Sequence, residues 1–189
     1  MQACDALCEM SIHEIVLPDD EYEYEWILGR AVPRLGGTYT HGVLQAAFGI
    51  ALRKWEDGQG ESGISWRFRI APPGEIRRPL VPDVSFVSKE RLRGLEGHDL
   101  DYPPFAPDVA VEIVSPEDPQ DDLNHKIAVY LAGGATLVVV VDIASRSIGM
   151  HDRDGVRVLR GNDVLTHAVL PGFTLSLPEF FAEADRHPV

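Results

Sequence analysis

Three ionisable side chains stand where the hydrophobic pattern calls for apolar ones, and together they define a chemistry. In the run VAVEIV, residues 109–114, strand alternation puts Ala110, Glu112 and Val114 on one face and Val109, Val111 and Ile113 on the other. Glu112 therefore points into a covered layer. An isolated buried carboxylate is costly enough that it takes up a proton, finds a cation or binds a metal. Further along, Leu123, Ile127 and Tyr130 mark the packed stripe of a helix, and Lys126 falls inside that stripe. Asp83 opens the run PDVSFV on the same side as Ser85 and Val87, behind a Pro82 that fixes the backbone. Two carboxylates and an ammonium on the elements of one covered sheet make a minimal site for metal-assisted phosphodiester hydrolysis. The carboxylates suit Mg2+, with Mn2+ as a substitute; the ion polarises a phosphoryl oxygen and acidifies a bound water, and the lysine orients that water or offsets developing charge.

Each of these residues also has a plainer reading. Glu112 can belong to a structural salt bridge. Lys126 can pair with Asp122 one turn earlier, or extend its ammonium to solvent. Asp83 can cap a strand end. A second Pro-Asp pair, Pro107-Asp108, opens the Glu112 strand, and turn chemistry alone accounts for its aspartate. His41 lies three residues before Leu44 on a packed helix face, the position of a satisfied core histidine.

The elements that must position these groups follow from local patterning. Residues 21–35 read as two short antiparallel strands broken at Gly29-Arg30. A helix follows with Leu44, Phe48, Ala51, Leu52 and Trp55 at spacings of three and four, Thr40 as its N-cap and Gly58 near its stop. Residues 63–70 alternate as one half-buried strand, APPGEIRRP reads as loop, and VPDVSFVS as the next strand. The stretch RLRGLEGHDLDYPPF is an exposed connection. APDVAVEIVSP is then a nearly continuous apolar strand, the kind that is covered on both faces. The helix EDPQDDLNHKIAVYLAGG, with Pro119 in its first turn, leads to the strand ATLVVVVDI, so strand, helix and strand form a crossover unit with parallel strands. A hairpin turning at Asp154-Gly155, a short strand and a terminal helical turn complete the chain. The expected fold class is α/β, a central mixed sheet flanked by helices, with an N-terminal hairpin and helix.

Composition bounds the partners. The chain has 189 residues, 44% hydrophobic and 25% charged, the profile of one globular domain with its own core. The reading divides it into an N-terminal arm over 1–20 and one domain over 21–185. A net charge of −13 repels polyanions and argues against a strong non-specific nucleic-acid binder. Cys4 and Cys8 lack the spacing of a metal or redox motif; no apolar run would span a bilayer, and the acidic start is unlike a signal peptide. A cytoplasmic protein without a membrane partner is expected. Neither glycine-rich phosphate-loop pattern occurs, which disfavours a nucleotide-binding enzyme.

The order of YEWILGRAVPR, THGVLQ, RPLVPDVSFV, PDVAVEIVSP, DDLNHKIAVYLAGGA, VVVVD and LPGFTLSLPEFF resembles the Uma-type restriction endonuclease family, a bacterial branch of the PD-(D/E)XK nuclease superfamily. The resemblance spans residues 21–181. It implies a restriction-endonuclease-like fold and a magnesium-dependent DNA endonuclease, often a homodimer. It carries catalytic and metal-binding roles to Asp83 and Glu112 and a catalytic role to Lys126, whose usual place in the motif is taken here by Val114. His41 and Glu25 match family positions that border the metal site. At Leu137-Val138-Val139 the chain departs from the aromatic pair the family tends to place before its strand aspartate, here Asp142. Arg67, Arg69, Arg77, Arg78, Lys89, Arg91 and Arg93 cluster around the Asp83 strand as a local DNA-binding patch or as a solvated rim. The apolar LVVVV strand is the expected dimer edge if it is not covered internally. The competing function is a catalytically silent member of the fold that serves as a DNA- or protein-interaction module.

Overall fold

The computed structural model describes residues 14–34 and 37–186. Cys4, Cys8 and most of the expected arm lie outside the described residues. The chain opens with strands β1 (Tyr24–Ile27) and β2 (Arg30–Pro33), joined through Leu28 and Gly29 at φ 48° and 77°. Two successive positive φ values make the mirror-image turn that matches strand twist, and glycine takes the second without strain. Helix α1 (Tyr39–Trp55) follows. Its N-cap is Thr38, whose side-chain oxygen accepts from the His41 N–H, so the expected cap at Thr40 is corrected by two residues: Thr40 already lies in the first turn.

The expected single strand over 63–70 is two strands, β3 (Gly60–Ile64) and β4 (Phe68–Ile70). Ser65, at φ 50°, turns the chain between them, and they join different sheets. The expected loop before Asp83 contains β5 (Arg78–Leu80), which pairs with β4. Next come β6 (Val84–Ser88), the one-turn helix α2 (Lys89–Leu92) leading into the expected exposed connection, the one-turn helix α3 (His98–Asp101) within it, and β7 (Val109–Val114). Helix α4 (Gln120–Ala132), with Pro119 just outside as its N-cap, leads to β8 (Leu137–Asp142). The chain ends with β9 (Ser147–Asp152), β10 (Gly155–Leu159), β11 (Val164–His167), β12 (Leu170–Ser176) and α5 (Leu177–Ala184). The β9–β10 pairing sets Asp152 opposite Gly155, so the turn is Arg153-Asp154, one residue earlier than expected.

Six strands form the central sheet in the order β10-β9-β8-β7-β6-β3. Strands β7 and β8 run parallel, as the crossover unit requires, and the other neighbours run antiparallel. Strand β8 is interior, between β7 and β9, and covered on both faces, so the condition on which LVVVV would be a dimer edge is not met. Two cores result. Val109, Val111 and Ile113 pack with Leu44, Phe48 and Leu52 of α1 and Phe180 and Phe181 of α5. On the opposite face Ala110, Val138 and Val140 pack with Ile127 and Tyr130 of α4 and Ile27 of the hairpin. Among the described residues no helix is long and apolar enough to cross a membrane.

Gly60 lets β3 lie against β6, because a Cβ there would overlap the Val87 carbonyl and stand 2.7 Å from the Phe86 ring. Gly60→Ala is expected to lower unfolding stability by about 1–3 kcal/mol. Gly42→Ala, in open space on α1, should raise it by about 0.5–1 kcal/mol. Urea denaturation of both variants checks the pair, and equal effects would contradict the packing.

Candidate active site

The β6–β7 register pairs Val84 with Val111, so one step further sets Asp83 opposite Glu112. Strand alternation aims both side chains at the α4 face, where each is buried. Asp83 Oδ2 accepts the Ile113 N–H at 2.8 Å, which ties the strand end to the residue after Glu112. Lys126 reaches from the second turn of α4 and donates to Glu112 Oε2 at 2.8 Å. The same ammonium lies 3.0 and 3.1 Å from the two oxygens of Glu25, which β1 presents inward beside Ile27. Glu25 Oε1 also accepts the Val81 N–H at 2.7 Å. One buried cation thus joins the hairpin, the crossover helix and the central sheet.

Asp83 is bounded on its other side by a histidine and an arginine. His41 Nε2 donates to Asp83 Oδ2 at 3.2 Å from the first turn of α1, which otherwise packs against the far face of the sheet. Arg34, just after β2, donates from Nη2 to Asp83 Oδ1 at 3.3 Å and from Nη1 to the Val81 carbonyl at 2.5 Å. All five residues singled out in the sequence, Asp83, Glu112, Lys126, His41 and Glu25, are therefore drawn into one cluster. Two members were not foreseen. The Tyr130 hydroxyl donates to Glu112 Oε1 at 2.8 Å, and its place four residues after Lys126 on the packed face was the available signal. Arg34 carries no local signal, because only the hairpin's docking brings it to Asp83.

Burial and charge pull these groups in opposite directions. Burial pushes Glu112 up to about 7, against the pull of Lys126 and with help from the Asp83 and Glu25 charges. Burial likewise opposes the charge on Lys126, but Glu112 and Glu25 overcome it and hold the ammonium well above its ordinary value. For Asp83 burial is the largest single influence and acts upward, yet His41, the Ile113 N–H and Lys126 together keep the carboxyl below its usual value. The hydrogen bond to Asp83 raises His41 despite its burial. Burial and the facing Glu112 keep the Tyr130 phenol well above its ordinary value, so it acts as a donor.

A metal would find hard oxygen donors in Asp83 and Glu112. Among the described residues no group of three or more His, Cys, Asp or Glu forms a ready ligand set. Two carboxylates with water filling the other positions is the pattern that suits Mg2+. A groove of about 720 Å3 beside Ile50, Trp55 and Phe173 lies with the α1 and α5 core, away from these carboxylates.

The family described as "Uma2: Putative restriction endonuclease" matches residues 11–178. The chain belongs to this family. The solved structure of a protein described as "a putative nuclease belonging to DUF820", from Anabaena variabilis ATCC 29413, shares the fold at a TM-score of 0.78. That likeness has 19% identity and covers 89% of this chain and 94% of that one. No curated protein matches.

Other polar residues singled out in this Uma2 chain do structural work. Asp108 accepts the Ser88 N–H at 2.7 Å and pairs with Arg91 at the opposite end of β7, and Asp142 accepts the Ser145 N–H in a turn. The expected arginine patch is largely neutralised in place: Arg67 pairs with Glu23, Arg69 with Glu14 and Asp99, Arg77 with Glu14, Arg78 with Glu75. The acidic surface that gives the chain its net charge also consumes these cations.

Protonation of Glu112 favours the folded state, because its folded pKa is raised from 4.5 to about 7. That contribution is whole below the unfolded value and is lost as pH rises through the folded one. His41, also raised, acts in the same direction, whereas lowered Asp83 loses its contribution only in more acid solution. The melting temperature of metal-free protein should therefore fall between about pH 5 and about pH 8, and Glu112→Gln should flatten the slope. A rising Tm, or an unchanged slope in the variant, contradicts this. A Cβ at Gly37 would stand 2.7 Å from His41 Nδ1. Gly37→Ala should displace the ring from Asp83 and bring its NMR-titrated pKa back toward about 6.5; no change would sever that dependence.

Proposed function

We propose that this protein is a metal-dependent DNA endonuclease, with Asp83 and Glu112 as ligands of Mg2+, or of Mn2+ in its place, and Lys126 as the catalytic cation. The observation that carries the reading is the meeting of two opposed strand carboxylates with a buried helix lysine in a Uma2 chain. When bound, a divalent ion would polarise a phosphoryl oxygen and lower the pKa of an attacking water. Glu112, raised by burial, is a carboxylate short of positive charge and gains from a cation. Lys126 stays protonated, holds Glu112 Oε2, and offsets charge that develops as the phosphodiester is attacked. Glu25 and Tyr130 position this pair: the first holds the ammonium from the hairpin side, and the second fixes the remaining Glu112 oxygen.

The second reading, a catalytically silent interaction module on the nuclease fold, is favoured by one observation. The Asp83 and Glu112 carboxylate oxygens already have protein partners. A homodimer, expected from the resemblance, would have to use a surface other than interior β8.

Cleavage of supercoiled plasmid and of a short single strand, with Mg2+ or Mn2+, separates the readings. Activity should vanish with EDTA and fall by at least about 100-fold in Glu112→Gln and Lys126→Ala, the scale of losing a principal electrostatic group. Cleavage that persists in both variants assigns the activity elsewhere. A wild-type protein that neither cuts nor binds Mn2+ in calorimetry supports the silent module.

A further inference from the structure

A nuclease site needs a group that holds the phosphate, and the obvious cations are committed elsewhere. Lys126 is enclosed by Glu25 and Glu112, with its side chain only 10% exposed. Arg67, Arg69, Arg77 and Arg78 are tied to acidic neighbours. Lys89 and Arg93 follow the far end of β6, and Lys89 is six residues beyond Asp83. At strand rise that is roughly 20 Å away.

Arg34 differs from all of these. Its backbone N–H is fixed to the Glu23 carbonyl at 2.7 Å, and its Nη1 is anchored on the Val81 carbonyl at 2.5 Å. Its Nη2 makes only the longer 3.3 Å contact with Asp83, and the side chain is 20% exposed. The guanidinium thus has one firm neutral anchor, one replaceable acidic partner and access to solvent, in the planar geometry that suits a phosphate.

We propose that Arg34 is the phosphate-binding residue of this site, keeping Nη1 on Val81 and turning Nη2 from Asp83 to a non-bridging oxygen of the scissile phosphodiester when Asp83 engages a divalent cation. The inference rests on the nuclease reading and adds a substrate class to it. With a net charge of −13 and most of the arginines around Asp83 paired internally, the protein grips one phosphate and repels the rest. A flexible single strand can present one phosphate while its flanks stay clear of the acidic surface, and a long rigid duplex cannot.

The test uses a 5′-labelled 15-nucleotide single strand with Mn2+, comparing wild type with Arg34→Ala, Arg34→Lys, Arg67→Ala and Arg93→Ala. Cleavage kinetics, the salt dependence of KM and calorimetric Mn2+ affinity are measured together. Arg34→Ala should raise KM at least tenfold, and Arg34→Lys should fall between it and wild type. Arg34→Ala should bind Mn2+ as well as wild type or better, since a competing cation has left Asp83, and Arg34→Lys, which keeps a cation, should stay close to wild type. The surface variants should stay within twofold, and log affinity should fall with log salt at a slope of about 0.7, against roughly 4 for a grip on six phosphates. Unchanged kinetics in Arg34→Ala overturn the assignment and leave the nuclease reading standing. Mn2+ affinity lost in proportion to activity also overturns it, because Arg34 would then only hold Asp83 in place. A wild type that neither cuts nor binds Mn2+ overturns the nuclease reading and this inference with it.

Discussion

Lys126 between Glu25 and Glu112 is the interaction on which the rest of the arrangement depends. Each partner comes from a different part of the chain: β1 of the hairpin, β7 of the sheet and α4 of the crossover. Removing one member of such a buried pair leaves an uncompensated charge, a loss of about 3–5 kcal/mol in comparable cases. The cluster therefore constrains the docking of the hairpin and of the helix together with the apolar contacts of Ile27, Ile127 and Tyr130.

The same cluster is not electrostatically at rest. Asp83, Glu112 and Glu25 face Lys126 and Arg34, with His41 drawn toward protonation by Asp83. Burial, helped by the Asp83 and Glu25 charges and opposed by Lys126, raises Glu112 to about 7. A site built only for stability would do better with apolar residues of the same volume. Keeping a strained carboxylate beside a low-lying one separates two roles: Asp83 stays ionised, and Glu112 gains most from an added cation.

The sequence made the sheet half of this site readable and the loop half obscure, for a physical reason. Glu112 and Lys126 interrupt strong local periodicities, and alternation placed Asp83 and Glu112 each on a face of its own strand, while the register that sets them opposite one another came only with the fold. Glu25 entered only through resemblance, because a short hairpin strand carries too little pattern to show which way it points, and His41 was readable as a packed-face histidine but not as a partner of Asp83. Arg34 was illegible, since its partner depends on where the hairpin docks. Tyr130 was visible as packing, but its hydroxyl bond was not. The unbroken alternation over 63–70 concealed the positive φ of Ser65, and the apolar run 137–141 looked like an edge because coverage on both faces and self-association leave the same composition. The arginines around Asp83 looked like a patch in one dimension, and folding brought acidic partners to most of them.

A crystal structure of the protein soaked with Mn2+, phased at the manganese edge, tests the central claim most directly. The account predicts one anomalous peak bonded to carboxylate oxygens of Asp83 and Glu112, with Lys126 still within reach of Glu112. Saturating Mn2+ that leaves no peak at these carboxylates, or that binds elsewhere with Glu112 unmoved, would contradict it and make the buried lysine cluster a structural element alone.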